Sequence, residues 1–425
     1  MHLRDRLLGS YLHHSFSGLM HFQLGEPVSL PDTSDDNPDV LYIHIPFCES
    51  LCPFCSFHRV LLDREMARDY FRTLCCEIQL VAEKGYKPTV VYVGGGTPTV
   101  LPDELEAVLT LVHSLFPVRQ VSVETNPNHL NAEVFSHLKA AGVNRVSTGI
   151  QTFDDSLLKA MGRYDSYGSG EQIAERILFA RDQFDTLNAD MIFNLPNQSK
   201  DSLQRDVHLL TDELEIDQVS YYPLMTSTYT ARKMKHSMGT SSLSNEETYY
   251  DMIRSHFDAG YQLSSVWCFS RDESMVDEYI IADTSYIGVG SGAFSYLDGT
   301  MYSNSFSLKR YGQFINEKGS AMTAVRKLSI SEQAHYDLVM TLFGQSLNKD
   351  ELNQKYDGRF FHLLWKEIEL LNSLGSIRDD DKTIKLTRQG QYDWLVFMRE
   401  FFIGVDNFRD EMRHHVSAEL SALNT

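Results

Sequence analysis

Between residues 41 and 225, short runs rich in β-branched and aromatic residues alternate with stretches whose apolar positions recur every three or four residues. The strand-like runs are Leu41–Ile45, Thr89–Val93, Gln120–Glu124, Arg145–Ile150, Ala189–Asn194 and Gln218–Pro223. Helical patterns fill the gaps, at Asp63–Lys84, Pro102–Phe116, Ala132–Ala141, Gly170–Phe184 and Lys200–Glu213. Strands and helices in strict alternation predict a parallel sheet, here an α/β fold with a partial (β/α)6 TIM-like barrel. Beyond Leu224 the pattern weakens through a Ser/Thr-rich stretch, Thr226 to Ser244, expected as an exposed excursion or lid. A β-rich extension follows, with Tyr261–Phe269 and the run from Gly288 to Ala293. From Leu328 to about Leu395, helical patterns with a late alternating run, Thr383-Ile384-Lys385-Leu386, predict a winged-helix-like helical domain. The expected divisions are 1–39 (N-terminal extension), 40–225 (barrel), 226–325 (lid and β-rich extension), 326–395 (winged-helix-like domain) and 396–425 (amphipathic helix and tail).

The first five strands each carry a distinctive group at or near the end: a cysteine loop, a triple glycine, Glu124, Gln151 and Asp190. Ligand-binding groups of parallel α/β folds gather at the carboxyl ends of strands, so these groups are expected at one mouth. The cysteine loop holds Cys48, Cys52 and Cys55, unevenly spaced. Three soft thiolates on a short loop suit a cubane iron–sulfur cluster whose fourth iron has no protein ligand. The alternative is a zinc knuckle that adds His44 or His58. Cys75, Cys76 and Cys268 are expected to pack as small apolar residues.

Hydrophobic residues make up 42% of the 425, and no apolar run approaches a membrane span or a signal-peptide core, so a cytoplasmic protein is expected. The net charge of -20 speaks against nucleic acid, whose binding is dominated by Lys and Arg. Near the C-terminus Trp394, Met398, Phe401, Val405, Phe408 and Met412 recur at helical spacing beside Arg399, Arg409 and Arg413. Such a stripe either packs on the barrel or lies on a membrane surface as a peripheral contact.

Two motifs, Tyr42-Ile43-His44-Ile45-Pro46-Phe47-Cys48 with its cysteine loop and Gly94-Gly95-Gly96-Thr97-Pro98-Thr99, resemble the radical S-adenosylmethionine superfamily. The resemblance is to its oxygen-independent coproporphyrinogen dehydrogenase-like branch, and it runs in motif order from about Leu41 to near Leu395. It implies a [4Fe-4S] cluster on Cys48, Cys52 and Cys55, with S-adenosylmethionine on the open iron. Cofactor contacts are implied for Tyr42, Phe54, Gly94, Gly95, Gly96, Thr97, Glu124, Gln151, Arg163 and Asp190, with Arg163 pairing the cofactor carboxylate and Gln151 near the ribose. The implied reaction is reductive cleavage to a 5′-deoxyadenosyl radical that abstracts a hydrogen atom. An electron donor such as flavodoxin or ferredoxin is implied, and a monomer is expected. Members of the branch hold a second S-adenosylmethionine, for which Gly290 and Ala293, within Gly288 to Ser295, are the expected lining.

The substrate is expected from departures within the branch. Coproporphyrinogen dehydrogenases carry a further cysteine where this chain has Phe57. The His-Asn-x-x-Tyr-Trp element of the haem chaperones is matched only by Ser303-Asn304-Ser305-Phe306-Ser307-Leu308. Cys55-Ser56-Phe57-His58-Arg59 resembles the cluster loop of menaquinone C8-methyltransferases. The expected function is therefore methylation of an sp² carbon on a flat apolar aromatic ring, menaquinone first. The alternatives are anaerobic haem degradation, with His13, His14 and His58 as iron ligands, a non-enzymatic haem chaperone, coproporphyrinogen dehydrogenation, and a plain electron carrier. No motif marks the residue that takes the final proton; Tyr221, Tyr222 and Cys268 are the candidates.

Overall fold

Leu41, Ile43 and Ile45 are fully buried, and their neighbour His44 is buried on the opposite face, so the strand Val40–Ile45 is covered on both sides. Such burial is the mark of a parallel strand with helices packed over it. The computed structural model describes residues 20–33, 38–272 and 285–423. In it six strands run parallel in chain order: Val40–Ile45, Val90–Gly95, Gln120–Thr125, Arg145–Gln151, Thr186–Phe193 and Gln218–Pro223. The expected α/β partial barrel is present, and it is open. Register sets Gly95 beside Ile45, Ser147 beside Glu124 and Asp190 beside Gly149, which brings the strand ends to one level.

Side-chain caps fix where the helices start. Asp63 accepts from the Met66 N–H before the helix Arg64–Glu83, and Ser169 with Gln172 forms a full capping box before Gly170–Ala180. The pattern expected as one helix over Lys200–Glu213 divides into an α-helix, Lys200–His208, and a π-helical turn, Leu209–Glu213.

The β-rich extension extends the barrel sheet on both sides. Tyr286–Val289 pairs in parallel with the first barrel strand, followed by antiparallel Phe294–Leu297, Thr300–Asn304 and Met322–Lys327. Gln23–Val28 closes that edge, while Cys268–Ser270 and Gln262–Leu263 extend the other, making thirteen strands in all. The Ser/Thr-rich stretch is also more ordered than its composition suggested. It forms the helix Thr228–Ser237, capped by Ser227 and tied to the cysteine loop by a Ser56 hydroxyl bond to Thr230 (3.2 Å).

Helices at Ile330–Phe343, Lys349–Lys355 and Trp365–Ser373 pack around a three-stranded sheet of Ser346–Asn348, Thr383–Leu386 and Ile377–Asp379. Its turn carries the exposed Asp379, Asp380 and Asp381. One helix, Arg388–Leu423, then runs back across the barrel, with no break where the amphipathic tail was expected to begin. Trp394, Met398, Val405, Phe408 and Met412 are all buried in it. The stripe therefore packs on the protein and is not a free membrane face. Its arginines pair with Glu246, Asp406 and Asp410. No helix among the described residues is long and apolar enough to cross a membrane.

Candidate active site

The cysteine loop leaves the first barrel strand directly and is clasped where Phe47–Cys48 pairs with Val60–Leu61. Arg59 donates to the carbonyl oxygens of Cys52 and Cys55 (2.5 and 2.8 Å), so a cation sits beneath thiols that must be anionic to bind metal. The Thr97 hydroxyl reaches Cys48 Sγ at 3.6 Å, and an Arg163 nitrogen reaches Cys52 Sγ at 3.5 Å. Burial, and then the neighbouring Cys55, pushes the Cys48 thiol up to about 12, a cost that bound iron cations would offset.

The three sulfurs fit a cluster better than a single ion. Zinc–sulfur bonds of about 2.3 Å would bring all ligands close together. Among the described residues, the one set of three His, Cys, Asp or Glu with ligand atoms within 4.8 Å of one another is His208, Asp212 and His256, on outer helices. Of the histidines a zinc knuckle would need, His44 has both ring nitrogens engaged, by Tyr42 and the His58 carbonyl, while His58 bonds Ser291 through Nε2 and stacks on His44 and Phe306.

Around the loop, the strand ends supply polar groups. Glu124 accepts from the Tyr92 hydroxyl (2.8 Å) and from the Gly95 N–H (3.0 Å). The glycines are demanded partly by the protein itself. A Cβ on Gly94 would stand 2.7 Å from Glu124, and Gly95, at φ +118°, lies against the His44 ring. Asp190 is held by Ser147 (2.8 Å) and Asn188 (2.9 Å). Arg163, 4% exposed, stacks on Tyr167 and donates to the Gly149 carbonyl and to Asn126 (3.4 Å). Its Nε has no partner, an orphaned buried donor of the kind a carboxylate-bearing cofactor satisfies. Gln151 takes φ 77° at a break in the strand register, strain of the sort that collects at functional sites.

These groups line one cavity of about 1240 Å³. Cys48, Cys52, Phe54, Cys55, Gly95, Gly96, Thr97, Glu124, Gln151, Arg163 and Asp190 are all part of its lining. The radical SAM superfamily model matches residues 42–210, the span that carries every one of them. Over those residues the chain is similar to the radical SAM superfamily.

Within that superfamily, its similarity is to the coproporphyrinogen oxidase and haem chaperone branch. The chain is 28% identical over 369 residues to the heme chaperone HemW of Bacillus subtilis, covering 82% of this chain and 95% of that protein. It is 27% identical over 391 residues to the oxygen-independent coproporphyrinogen III oxidase of Salmonella typhimurium, covering 84% and 83%. The structure of the Escherichia coli coproporphyrinogen III oxidase, itself a radical SAM enzyme, superposes with TM-score 0.73 at 25% identity, over 86% of this chain and 90% of that one. That similarity implies a [4Fe-4S] cluster and S-adenosylmethionine, and the thiol set and the orphaned Arg163 donor fit both.

Not every expected residue reaches the cavity. Tyr42 turns its hydroxyl to His44 Nδ1 (2.8 Å) and stacks on Tyr92, and Gly94 backs onto Glu124. Gly290 and Ala293 are absent from the lining. Gly290 donates its N–H to Glu77, and its carbonyl accepts from the Asn304 amide. Of the proton-acceptor candidates, Tyr222 lines the cavity. Tyr221 points away and packs on Phe193, and Cys268 takes the Ser220 hydroxyl (3.8 Å). His58 is a core residue, its pKa pushed well below the usual range by burial and then by His44, and is no exposed ligand for haem iron. His13 and His14 lie outside the described residues.

The far end of the cavity was not foreseen. Ile192, Tyr222, Met225, Trp267 and Phe402 line it, with Asp406 and Arg409 from the C-terminal helix. Burial pushes the Asp406 carboxyl up to about 6 against the pull of Arg409, which bonds it at 2.9 Å and lies over the Phe57 ring.

One anchor of the site has a pH signature. Asp206, on the helix Lys200–His208, accepts from the Thr152 hydroxyl (2.6 Å) and the Phe153 N–H (3.0 Å), fixing the loop just after Gln151. Burial pushes its carboxyl up to about 7 from an unfolded value of 3.8. The folded chain then holds that proton more tightly than the unfolded chain, so the contribution is full below about pH 4 and declines as pH rises through 7. The thermal midpoint of the parent minus that of Asp206→Asn is expected to shrink from pH 5 to pH 8; parallel curves would contradict the assignment.

Proposed function

We propose that this protein is a radical SAM enzyme that uses two S-adenosylmethionine molecules to methylate an sp² carbon of a flat, neutral, apolar ring. The naphthoquinone ring of menaquinone is the first candidate. When bound, the cluster and cofactor supply a 5′-deoxyadenosyl radical. The chain's own residues do the rest: Glu124, Gln151, Arg163 and Asp190 hold the polar partner at one end, and the aromatic residues at the other hold the ring and keep water out.

The observation that carries this reading is the composition of the far end. The cations lining the cavity are Arg59, bonded to the Cys52 and Cys55 carbonyls, Arg163, bonded to the Gly149 carbonyl, and Arg409, paired with Asp406. A porphyrinogen with several carboxylates would lose their hydration there with only these already engaged cations to replace it, a large cost for buried charge. A quinone carries carbonyl oxygens instead, and the buried Trp267 Nε1 is an unpartnered donor among the lining residues. Phe57, in place of a further cysteine, packs under Arg409.

A second reading, a haem or porphyrin ligand, has the similarity behind it, since the relatives are named heme chaperone and coproporphyrinogen III oxidase. Methyl transfer is in neither name.

Reconstituted protein under anaerobic conditions, given dithionite and S-adenosylmethionine, is offered menaquinone, haem and coproporphyrinogen separately, with mass spectrometry of nucleosides and substrate. Menaquinone gaining one methyl group, with S-adenosylhomocysteine and 5′-deoxyadenosine formed, is the expected result. Haem consumption or porphyrinogen decarboxylation moves the function to the second reading, and haem binding without either nucleoside makes the protein a chaperone. Trp267→Ala and Phe402→Ala are each expected to raise the KM for the ring substrate about tenfold or more, the loss of a buried aromatic contact, while abortive 5′-deoxyadenosine formation continues.

A further inference from the structure

On this strongly acidic chain, the outer side of the cysteine loop carries a cationic groove of about 710 Å³. Cys55 and Arg59 line both this groove and the active-site cavity, so one cluster ligand faces the cofactor side and the outside at once. The charged and titratable groups around the groove are Arg59, Lys233, Arg413 and His414, against the one carboxylate of Asp410. Arg413 is fastened to the loop through the Ser56 and Phe57 carbonyls (3.1 and 2.8 Å). The adjoining helix Thr228–Ser237 contains no acidic residue and exposes Arg232, Lys233, Lys235 and His236. At the rim stand two exposed apolar side chains, Leu51 (41%) and Tyr229 (53%), the tyrosine edge-on to His414. A tyrosine ringed by cations is the composition of a protein-docking patch.

We propose that this groove docks a small acidic one-electron donor protein, of the flavodoxin or ferredoxin class, and is where the electron enters. The inference rests on the radical SAM assignment, not on the identity of the substrate. One electron leaves the donor's flavin or iron–sulfur centre and enters the cluster held by Cys55; no bond forms and no proton moves. The cavity side is closed to a protein donor, because cofactor and substrate occupy it during turnover. On the groove side, a partly buried cluster ligand lies under a patch whose charge opposes both the donor and the rest of the chain. Complementary charge of this kind steers encounter and makes it sensitive to salt.

The test uses reconstituted full-length protein without substrate, so that it does not depend on the methyltransferase reading. Bleaching of cluster absorbance is followed with reduced flavodoxin and, separately, with dithionite, and flavodoxin affinity is measured in low and high salt. In Lys233→Glu and Tyr229→Ala, flavodoxin-driven bleaching and affinity are expected to fall about tenfold or more, in line with the loss of steering, with dithionite bleaching unchanged. Raising the salt concentration should weaken the parent and leave Lys233→Glu little affected. Equal flavodoxin rates in parent and variants would overturn the proposal. So would a parallel loss with dithionite, or binding of an oligonucleotide with the same Lys233 dependence in place of flavodoxin.

Discussion

Serine in place of Cys48, Cys52 or Cys55 is expected to strip the chain of iron and sulfide and to bring 5′-deoxyadenosine formation down to the level of a protein-free control. Serine has nearly the same shape, so the loop retains its clasp at Phe47–Cys48 with Val60–Leu61 and its Arg59 bonds to backbone carbonyls. What changes is the ligand atom, from a soft thiolate to a hard hydroxyl that iron–sulfur clusters accept poorly. With three protein ligands for four irons, no spare thiol stands ready to substitute. Cys268 is fully buried against Ser220, and Cys75 and Cys76 lie on the helix Arg64–Glu83 away from the cavity lining. Cys268→Ser therefore serves as the control that keeps its cluster. Iron and sulfide content after reconstitution, with the absorbance spectrum, is the measurement; a Cys52→Ser protein with full iron content would sink the assignment.

The parts of this site that were legible in the sequence lie close to strand ends. A parallel strand buried on both faces shows as an unbroken apolar run, and whatever follows it must sit at the carboxyl edge, so the cysteine loop, Glu124, Gln151 and Asp190 could be placed together before any coordinates. The far end of the cavity follows no such rule. Trp267 comes from the bend just before the Cys268–Ser270 strand, and Phe402, Asp406 and Arg409 from one helix about 350 residues beyond the cysteine loop. Their convergence depends on how the Arg388–Leu423 helix crosses the barrel, which periodicity does not encode. The same helix shows why its stripe was ambiguous: an apolar stripe reports burial, and packing against protein or lipid satisfies it equally. Gly290 misled for a related reason. A glycine-rich turn after a strand signals close approach of something, and here the approach is by the His44 carbonyl and the Tyr70 hydroxyl, 2.4 and 2.6 Å from where a Cβ would stand.

Glu77→Leu is expected to cost the apoprotein more stability than any substitution in the cavity wall. The Glu77 carboxylate lies inside the helix that follows the cysteine loop, 6% exposed, and accepts from three donors: the Gly290 N–H (2.7 Å), the Tyr311 hydroxyl (2.7 Å) and the Asn304 amide (2.8 Å). Burial raises its pKa, and the three donors pull the other way. These bonds join four pieces of chain, and the Tyr70 hydroxyl, bonded to the His44 carbonyl and to the Ser291 N–H, continues the network to the first barrel strand. Leucine fills the space but strands all three donors without water. At about 1–3 kcal/mol for each buried group left unsatisfied, the loss is about 3–9 kcal/mol. With an unfolding entropy of about 2.1 cal/mol/K per residue, that corresponds to roughly 3–10 °C in thermal midpoint for a chain of this size. Tyr311→Phe removes one donor and leaves the carboxylate two partners, so its shift should be a fraction of this, and Glu77→Gln, which turns one acceptor into a donor facing donors, should fall between. If Glu77→Leu melts with the parent, the carboxylate is not the tie between the cysteine-loop helix and the extension strands, and some other contact must hold that edge of the sheet in place.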